Sequence, residues 1–122
     1  MFRSLLQIYV KGKDKAFQLY QKAFDAEIGC KDVDENGVVI HQELNIMGQA
    51  FAVGEASDDT HLTGNIMQFC LQFGEGNEGR IKNAYECLIE GGKTLTPPGE
   101  FSFSTYGVEF IDTYGVWWCL FI

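Results

Sequence analysis

The stretch RIKNAYECLIEGGKTLT, residues 80–96, decides the fold. Its apolar residues recur at helical spacing, which predicts an amphipathic helix over residues 80–90. Gly91 and Gly92 follow, and a glycine can take the left-handed conformation after a helix without a steric penalty. We therefore expect the helix to end there and a short strand to run over residues 93–96, where Pro97 stops it.

Strands precede and follow this helix in the sequence. Short apolar and β-branched runs, bounded by turn residues, predict them. Together with the helix they give the order βαβββ. The other predicted strands of this half cover residues 65–73, 106–111 and 116–122.

The first half of the chain predicts the same order. Asp14 is the expected N-cap of a helix that ends near Phe24, and Asn36-Gly37 predicts a hairpin turn. A polar stretch, EASDDTHLTG, separates the two halves. The predicted strands of the first half cover residues 4–10, 27–33, 38–47 and 50–54.

Two copies of one supersecondary unit predict a single α+β domain built from two βαβββ modules. Because neither copy can cover its own sheet face, each is expected to pack against another. The predicted boundaries are module one at 1–56, a linker at 57–64 and module two at 65–122.

The composition excludes several classes of protein. The chain has 122 residues, 46% hydrophobic and 21% charged, as a globular domain does. A net charge of −8 disfavours nucleic acid and anionic lipid as partners. No apolar run is long enough to span a membrane, and the first residues do not resemble a signal peptide, so we expect a cytoplasmic protein.

The four cysteines form no recognisable metal or redox motif. They are widely spaced, without a CxxC pair. Three of them lie in apolar or amphipathic runs, so the cysteines are expected to be buried thiols. They are Cys30, Cys70, Cys87 and Cys119.

Five segments of this chain resemble the vicinal oxygen chelate superfamily (glyoxalases, bleomycin resistance proteins and extradiol dioxygenases), in its PhnB-like branch. The resemblance implies curved mixed sheets around a cleft and a homodimer. The matching segments are AFQLYQKAF (16–24), HQEL (41–44), IMG (46–48), CLIEGGKTLTP (87–97) and YGVEFIDTYGVWWCL (106–120).

The same resemblance frames the question of a metal. Metal-bearing relatives hold a divalent ion with His or Glu side chains from four strands. The matching places in this chain are Leu6 or a neighbour, Glu55 at the end of strand four, the strand over 65–73, and Cys119. At most one of these is a carboxylate, so no metal cofactor is expected.

His41 and Glu43 are the candidate catalytic residues. They stand two apart on a predicted strand, which places both side chains on one face. His41 could act as a general base, or the pair could orient a ligand. The alternative is an ordinary sheet face that meets water or a neighbouring strand.

The candidate ligand-binding residues all lie in the second module. Gln68, Cys70 and Gln72 alternate with apolar residues, so they form either a cleft lining or a half-exposed sheet face. The aromatic residues of FSFSTYG (101–107) could stack on a planar ligand, or plug the core or a dimer contact. The full set is Gln68, Cys70, Gln72, Phe101, Phe103, Tyr106, Trp117 and Cys119.

These observations predict metal-independent binding of a small, partly apolar molecule in the cleft of a homodimer. One alternative is an enzyme of the same superfamily: a dioxygenase, or a lyase or isomerase whose divalent metal is held by a relocated set that includes His41, Glu43 and Glu55. A metal-free acid–base catalyst that uses His41 is the other form of this alternative. Another is a structural dimer with a self-filled cavity. Neither Gly91-Gly92 nor GEGNEG (74–79) is interpreted as a phosphate-binding loop, so nucleotide binding and methyltransferase activity are not expected.

Overall fold

The structure, a computed structural model, describes residues 3–57 and 67–122. These residues fall into two compact units, one from each range. Each unit contains one helix and one four-stranded sheet in the order βαβββ, so the predicted repeat is confirmed. Two parts of the prediction lie outside the described part of the chain. They are the linker residues 58–64, which include His61, and the first two residues of the predicted strand 65–73.

The first unit has the strand order β1-β4-β3-β2. β1 runs parallel to β4, and the other pairs are antiparallel. One face of the sheet packs on α1, where the ring of Tyr20 meets Phe51 edge to face at 5.7 Å. The elements are β1 (Leu5–Val10), α1 (Lys13–Phe24), β2 (Glu27–Val33), β3 (Val39–Ile46) and β4 (Gln49–Glu55).

The N-terminus of α1 is capped from β4 and not by the residue that the sequence indicated. Gly12 is the N-cap, with φ of 82°, and Asp14 lies in the first turn, so the prediction of Asp14 as N-cap was wrong. The Glu55 carboxylate accepts hydrogen bonds from the backbone N–H groups of Gly12 and Lys13 at 3.0 and 3.1 Å. These bonds satisfy donors that a helix start leaves open.

The second unit repeats the arrangement with the order β5-β8-β7-β6. β5 is parallel to β8, and Tyr85 of α2 meets Phe110 of β7 at 5.2 Å. Ile81, Ala84 and Leu88 of α2 are fully buried. The elements are β5 (Phe69–Gln72), α2 (Glu78–Leu88), β6 (Lys93–Phe101), β7 (Ser104–Ile111) and β8 (Trp117–Phe121).

β6 continues through Pro97-Pro98 to Phe101, so the prediction that proline ends this strand was wrong. β6 is at the edge of its sheet, where a missing N–H donor is tolerated. Its pairing with β7 shifts register between Thr94 and Thr96 and again between Thr96 and Gly99. The irregular pairing lets the strand accommodate both prolines.

Neither helix in the described ranges is long and apolar enough to cross a membrane. α1 has 12 residues and α2 has 11, whereas a span needs about 20.

Candidate functional site

The polar side chains of interest lie on the face of each sheet that points away from its helix. In the first unit Gln7, Ala52 and Glu43 form one row across β1, β4 and β3. In the second unit Cys70, Cys119 and Glu109 form the equivalent row across β5, β8 and β7. Glu43 and Glu109 therefore occupy corresponding positions in the two units.

Two side chains, those of Arg3 and His41, hold Glu43. Arg3 donates from Nη1 to Oε1 at 2.7 Å and from Nη2 to Oε2 at 3.0 Å. His41 Nε2 lies 2.7 Å from Oε2. Glu43 is 3% exposed, so the planar guanidinium and the imidazole together replace the water that this carboxylate has lost. The structure brings His41 and Glu43 together as predicted, while their catalytic role stays a prediction.

Arg3 could not be identified from the sequence pattern. It lies 40 positions before Glu43 and reaches it only because β1 pairs in parallel with β4, next to β3. Long-range pairing of this kind leaves no local pattern around Arg3. Asn45, on the same strand face, is occupied elsewhere, since its side chain accepts from Gly48 N at 2.7 Å.

The pKa of Glu43 falls from 4.5 to about 2, first because of the hydrogen bonds from Arg3 and then because of His41; burial opposes the shift. Glu43 is therefore a permanent carboxylate at neutral pH and cannot serve as a general acid there. Its contact with His41 Nε2 restrains the orientation of that ring.

The lowered pKa of Glu43 predicts a contribution to stability that acid removes. Because its folded pKa lies below its unfolded value, this contribution is complete above about pH 4.5 and is lost as the pH falls towards 2. We expect Glu43→Gln to flatten that part of the curve of unfolding free energy against pH, measured by urea titration at steps between pH 7 and 2. Glu86→Gln, an exposed helix position, is the control. A Glu43→Gln curve with the wild-type slope below pH 4.5 would contradict the assignment.

Glu109 is held differently, by three neutral donors from three directions. Its Oε2 accepts from Gln68 Nε2 at 2.7 Å and from Trp117 Nε1 at 3.2 Å. Its Oε1 accepts from Thr96 Oγ1 at 3.0 Å. Gln68 and Trp117 were predicted for the site, whereas Glu109 and Thr96 were missed. The alternation of Glu109 with Val108 and Phe110, both apolar, was the signal that could have found Glu109.

Cys119 lies beside this cluster as a neutral thiol. It is 6% exposed, and burial, with the neighbouring Cys70 and Glu109, raises its pKa to about 11. The Cys70 Sγ donates to Gln68 Oε1 at 3.3 Å. Cys70 and Cys30 are exposed and Cys87 is half-buried, so the expectation of buried thiols was correct only for Cys119.

Three phenylalanines on the second unit form what we call the aromatic ridge: Phe101, Phe103 and Phe121. The ring of Phe103 meets Phe101 at 5.3 Å and Phe121 at 5.2 Å, edge to face in both cases. Phe103 is 64% exposed. Gly107, two residues before Glu109, lies beneath the ridge, because a Cβ there would come within 3.1 Å of both Phe101 and Phe121.

The other predicted ligand residues lie near the ridge or apart from it. Gln72 pairs with Phe121 across β5 and β8 and is exposed. Tyr106 contacts α2 instead, with Lys82 Nζ 5.6 Å from its ring centre. Burial, and then Glu78, raises the pKa of the Tyr106 phenol. Tyr106 is therefore apart from Phe101 and Phe103, with which the sequence had grouped it.

The side chains at the expected metal positions do not fit a divalent ion. Both oxygens of Glu55 are used by the start of α1. Cys119 keeps its proton at neutral pH, and a thiol must lose that proton to bind a metal. Within residues 3–57 and 67–122, no three His, Cys, Asp or Glu residues are grouped as a metal site would require.

The segment over residues 74–79, GEGNEG, has the spacing G-x-G-x-x-G and runs from the loop after β5 into the first turn of α2, although we did not interpret it as a phosphate-binding loop. Its charge opposes that function. Glu75 and Glu78 would repel a phosphate, and the Asn77 side chain donates back to the carbonyls of Phe73 and Gly74. The guanidinium of Arg80 lies 5.9 Å from the ring of Phe73. The spacing alone therefore does not indicate a nucleotide site.

Comparison with known proteins finds no family model and no curated protein that matches this sequence. Solved structures do match. A PhnB protein from Bacillus cereus, named as a candidate 3-demethylubiquinone-9 3-methyltransferase, is 25% identical, with a TM-score of 0.75 over 98% of this chain and 97% of its own.

Two further solved structures have the same fold at lower identity. A mutant of the fosfomycin resistance protein FosX from Listeria monocytogenes, complexed with Mn(II) and 1S,2S-dihydroxypropylphosphonic acid, is 15% identical, with a TM-score of 0.71 over 98% of this chain and 90% of its own. TioX from Micromonospora sp. ML1 is 13% identical, with a TM-score of 0.67 over 98% and 94%.

Proposed function

We propose that this chain, whose fold is that of the vicinal oxygen chelate superfamily, binds a small, partly apolar molecule without a resident metal ion. The predicted resemblance to that superfamily is confirmed, because the three structures named above are members of it. The fold alone does not determine chemistry, so the proposal depends on the side chains of the polar sheet faces.

The observation that carries the proposal is the aromatic ridge beside an ordered polar group. Phe103 leaves most of its ring in water, and Phe101, Phe121 and Trp117 are half-buried on the same unit. Covering exposed aromatic surface of this kind with an apolar ligand lowers the free energy of the complex. Glu109, Gln68 and Thr96 supply fixed polar groups next to it, as small-molecule sites usually require.

Metal independence is supported by the chemistry of the available donors. The Mn(II) complex belongs to FosX, and the side chains at the corresponding expected positions here are a capping carboxylate and a protonated thiol. The methyltransferase activity named for the Bacillus cereus protein is not extended to this chain. The described ranges form two mixed four-stranded sheets, not the doubly wound parallel sheet on which a Rossmann cofactor binds.

A thermal-shift screen tests this function. We expect aromatic ligands to raise the melting temperature of chelator-treated protein, because a ligand that binds the native state must stabilise it. Adding Zn²⁺, Ni²⁺, Mn²⁺ or Fe²⁺ should give no further increase. Metal analysis of protein purified without chelators is the second readout. One equivalent of a metal that His41→Ala removes would overturn metal independence, and a screen without any response would favour a structural dimer.

A second candidate is acid–base catalysis by His41. The observation in its favour is the short contact from His41 Nε2 to Glu43, which resembles the way that a carboxylate orients a catalytic imidazole. Turnover of a substrate found in the screen, abolished by His41→Gln while binding persists, would support it. Assembly as a homodimer also remains a prediction.

A further inference from the structure

We propose that the second unit selects a cationic ligand: a primary or substituted ammonium group that binds Glu109, attached to an aromatic or aliphatic body that covers the aromatic ridge. This inference rests on the proposed binding function and specifies its ligand class.

The first step is the difference in charge between two corresponding carboxylates. Glu43 and Glu109 occupy corresponding positions in their units. Glu43 on β3 pairs with Ala52 of β4, and Glu109 on β7 pairs with Cys119 of β8. Glu43 forms an ion pair with Arg3. Among the residues that the structure describes, Glu109 makes no ion pair; its partners are an amide, a hydroxyl and an indole N–H. Its negative charge is therefore ordered but not compensated.

The second step is the remaining hydrogen-bonding capacity of Glu109. A carboxylate offers about four acceptor positions, two on each oxygen. Oε2 accepts from both Gln68 and Trp117, whereas among the residues of 3–57 and 67–122 Oε1 accepts from Thr96 alone. Oε1 therefore has one acceptor position that no described residue fills. An ammonium N–H fits it best, since a charge-assisted hydrogen bond is about twice as strong as a neutral one.

The third step is the aromatic surface next to the Glu109 carboxylate. Trp117, whose indole holds Glu109, lies on the same face of β8 as Phe121 of the aromatic ridge. Aromatic faces attract cations through their quadrupole, and they also bury an apolar body. The net charge of −8 adds a long-range attraction for cations and a repulsion for anions.

The experiment compares three probes of one shape. 2-Phenylethylammonium is the cation, 2-phenylethanol the neutral counterpart and phenylacetate the anion. Isothermal titration at pH 7 measures their dissociation constants with the full chain. We expect the dissociation constant of the ammonium probe to be lower than that of the alcohol by a factor of ~10 or more, which corresponds to one charge-assisted hydrogen bond. Phenylacetate should bind more weakly than either.

Variants then assign the selectivity to Glu109. Glu109→Gln keeps the shape and removes the charge, so the ratio of the dissociation constants of the alcohol and the ammonium probe should fall to about one. Glu86→Gln makes the same charge change on the exposed face of α2 and should leave the ratio of the two constants unchanged. The wild-type comparison of the three probes does not depend on the folding of any variant.

The outcomes separate this inference from the proposed function. Equal binding of the ammonium probe and the alcohol, or full selectivity in Glu109→Gln, would overturn the ammonium assignment and leave the binding function standing. No binding of any probe, together with a silent thermal-shift screen, would overturn both. Cross-peaks of the Trp117 indole N–H that shift with the ammonium probe alone would support the assigned position.

Discussion

Trp118→Ala is expected to lower the free energy of unfolding by ~3–5 kcal/mol, the usual cost of removing a large buried aromatic side chain. Trp118 is fully buried on the side of β8 that faces the core. Its ring stacks on Phe69 at 5.3 Å, and its Nε1 donates to Asp112 Oδ2 at 2.9 Å. The substitution therefore opens a cavity and also removes a donor from a buried carboxylate, which adds to the loss.

The neighbouring tryptophan is the matched control for this prediction. Trp117 is half-buried and points to the opposite face, towards Glu109. Trp117→Ala should cost ~1 kcal/mol of stability, the value for a partly exposed hydrogen-bonded side chain, and should weaken ligand binding. Urea unfolding followed by far-UV circular dichroism measures both variants without depending on tryptophan emission. Equal losses for the two variants would show that the assignment of faces along β8 is wrong.

Gly92→Ala has the second large expected effect. A Cβ at this position would overlap the carbonyl oxygen of Ile111 and would lie 3.0 Å from the Cα of Asp112. Both are backbone atoms at the end of β7, so neither can rotate away as a side chain would. We expect a loss of ~1–3 kcal/mol, as for other overpacked sites, or more because the backbone must shift.

Gly99→Ala provides the comparison, because Gly99 lies in β6 and a Cβ there meets no heavy atom within 4 Å. Its effect should stay within ~0.5 kcal/mol, as for ordinary surface substitutions. Thermal unfolding of both variants under one set of conditions tests the difference. A Gly92→Ala protein as stable as Gly99→Ala would mean that β7 does not approach Gly92 closely.

Local pattern accounts for most of the fold. Helical spacing predicted both helices, and the alternation around His41 and Glu43 placed these two side chains on one face, where the structure has them in contact. Local pattern failed where a distant segment supplies the partner. The cap of α1 comes from Glu55, 43 positions after Gly12, and so Asp14 was chosen wrongly.

The candidate site was harder to predict for the same reason. Glu109 is joined to Gln68 across 41 positions, and nothing near either residue indicates the pairing. Tyr106 was grouped with Phe101 and Phe103 because they share one segment of sequence. Its side chain lies on the face of β7 that meets α2. Glu109 lies on the opposite face, because side chains alternate between the two faces along a strand. Pro97 was interpreted as a strand end because irregular edge pairing cannot be recognised from composition.

The corresponding rows of residues in the two units have a consequence for how the ligand specificity of this protein can evolve. A fold assembled from tandem copies has every position twice, and selection does not need both for the same purpose. In one copy the glutamate is locked to an arginine as part of the architecture. The corresponding glutamate of the other copy, Glu109, is surrounded by uncharged donors. We expect single substitutions around it to change ligand specificity without disturbing the ion pair in the first copy.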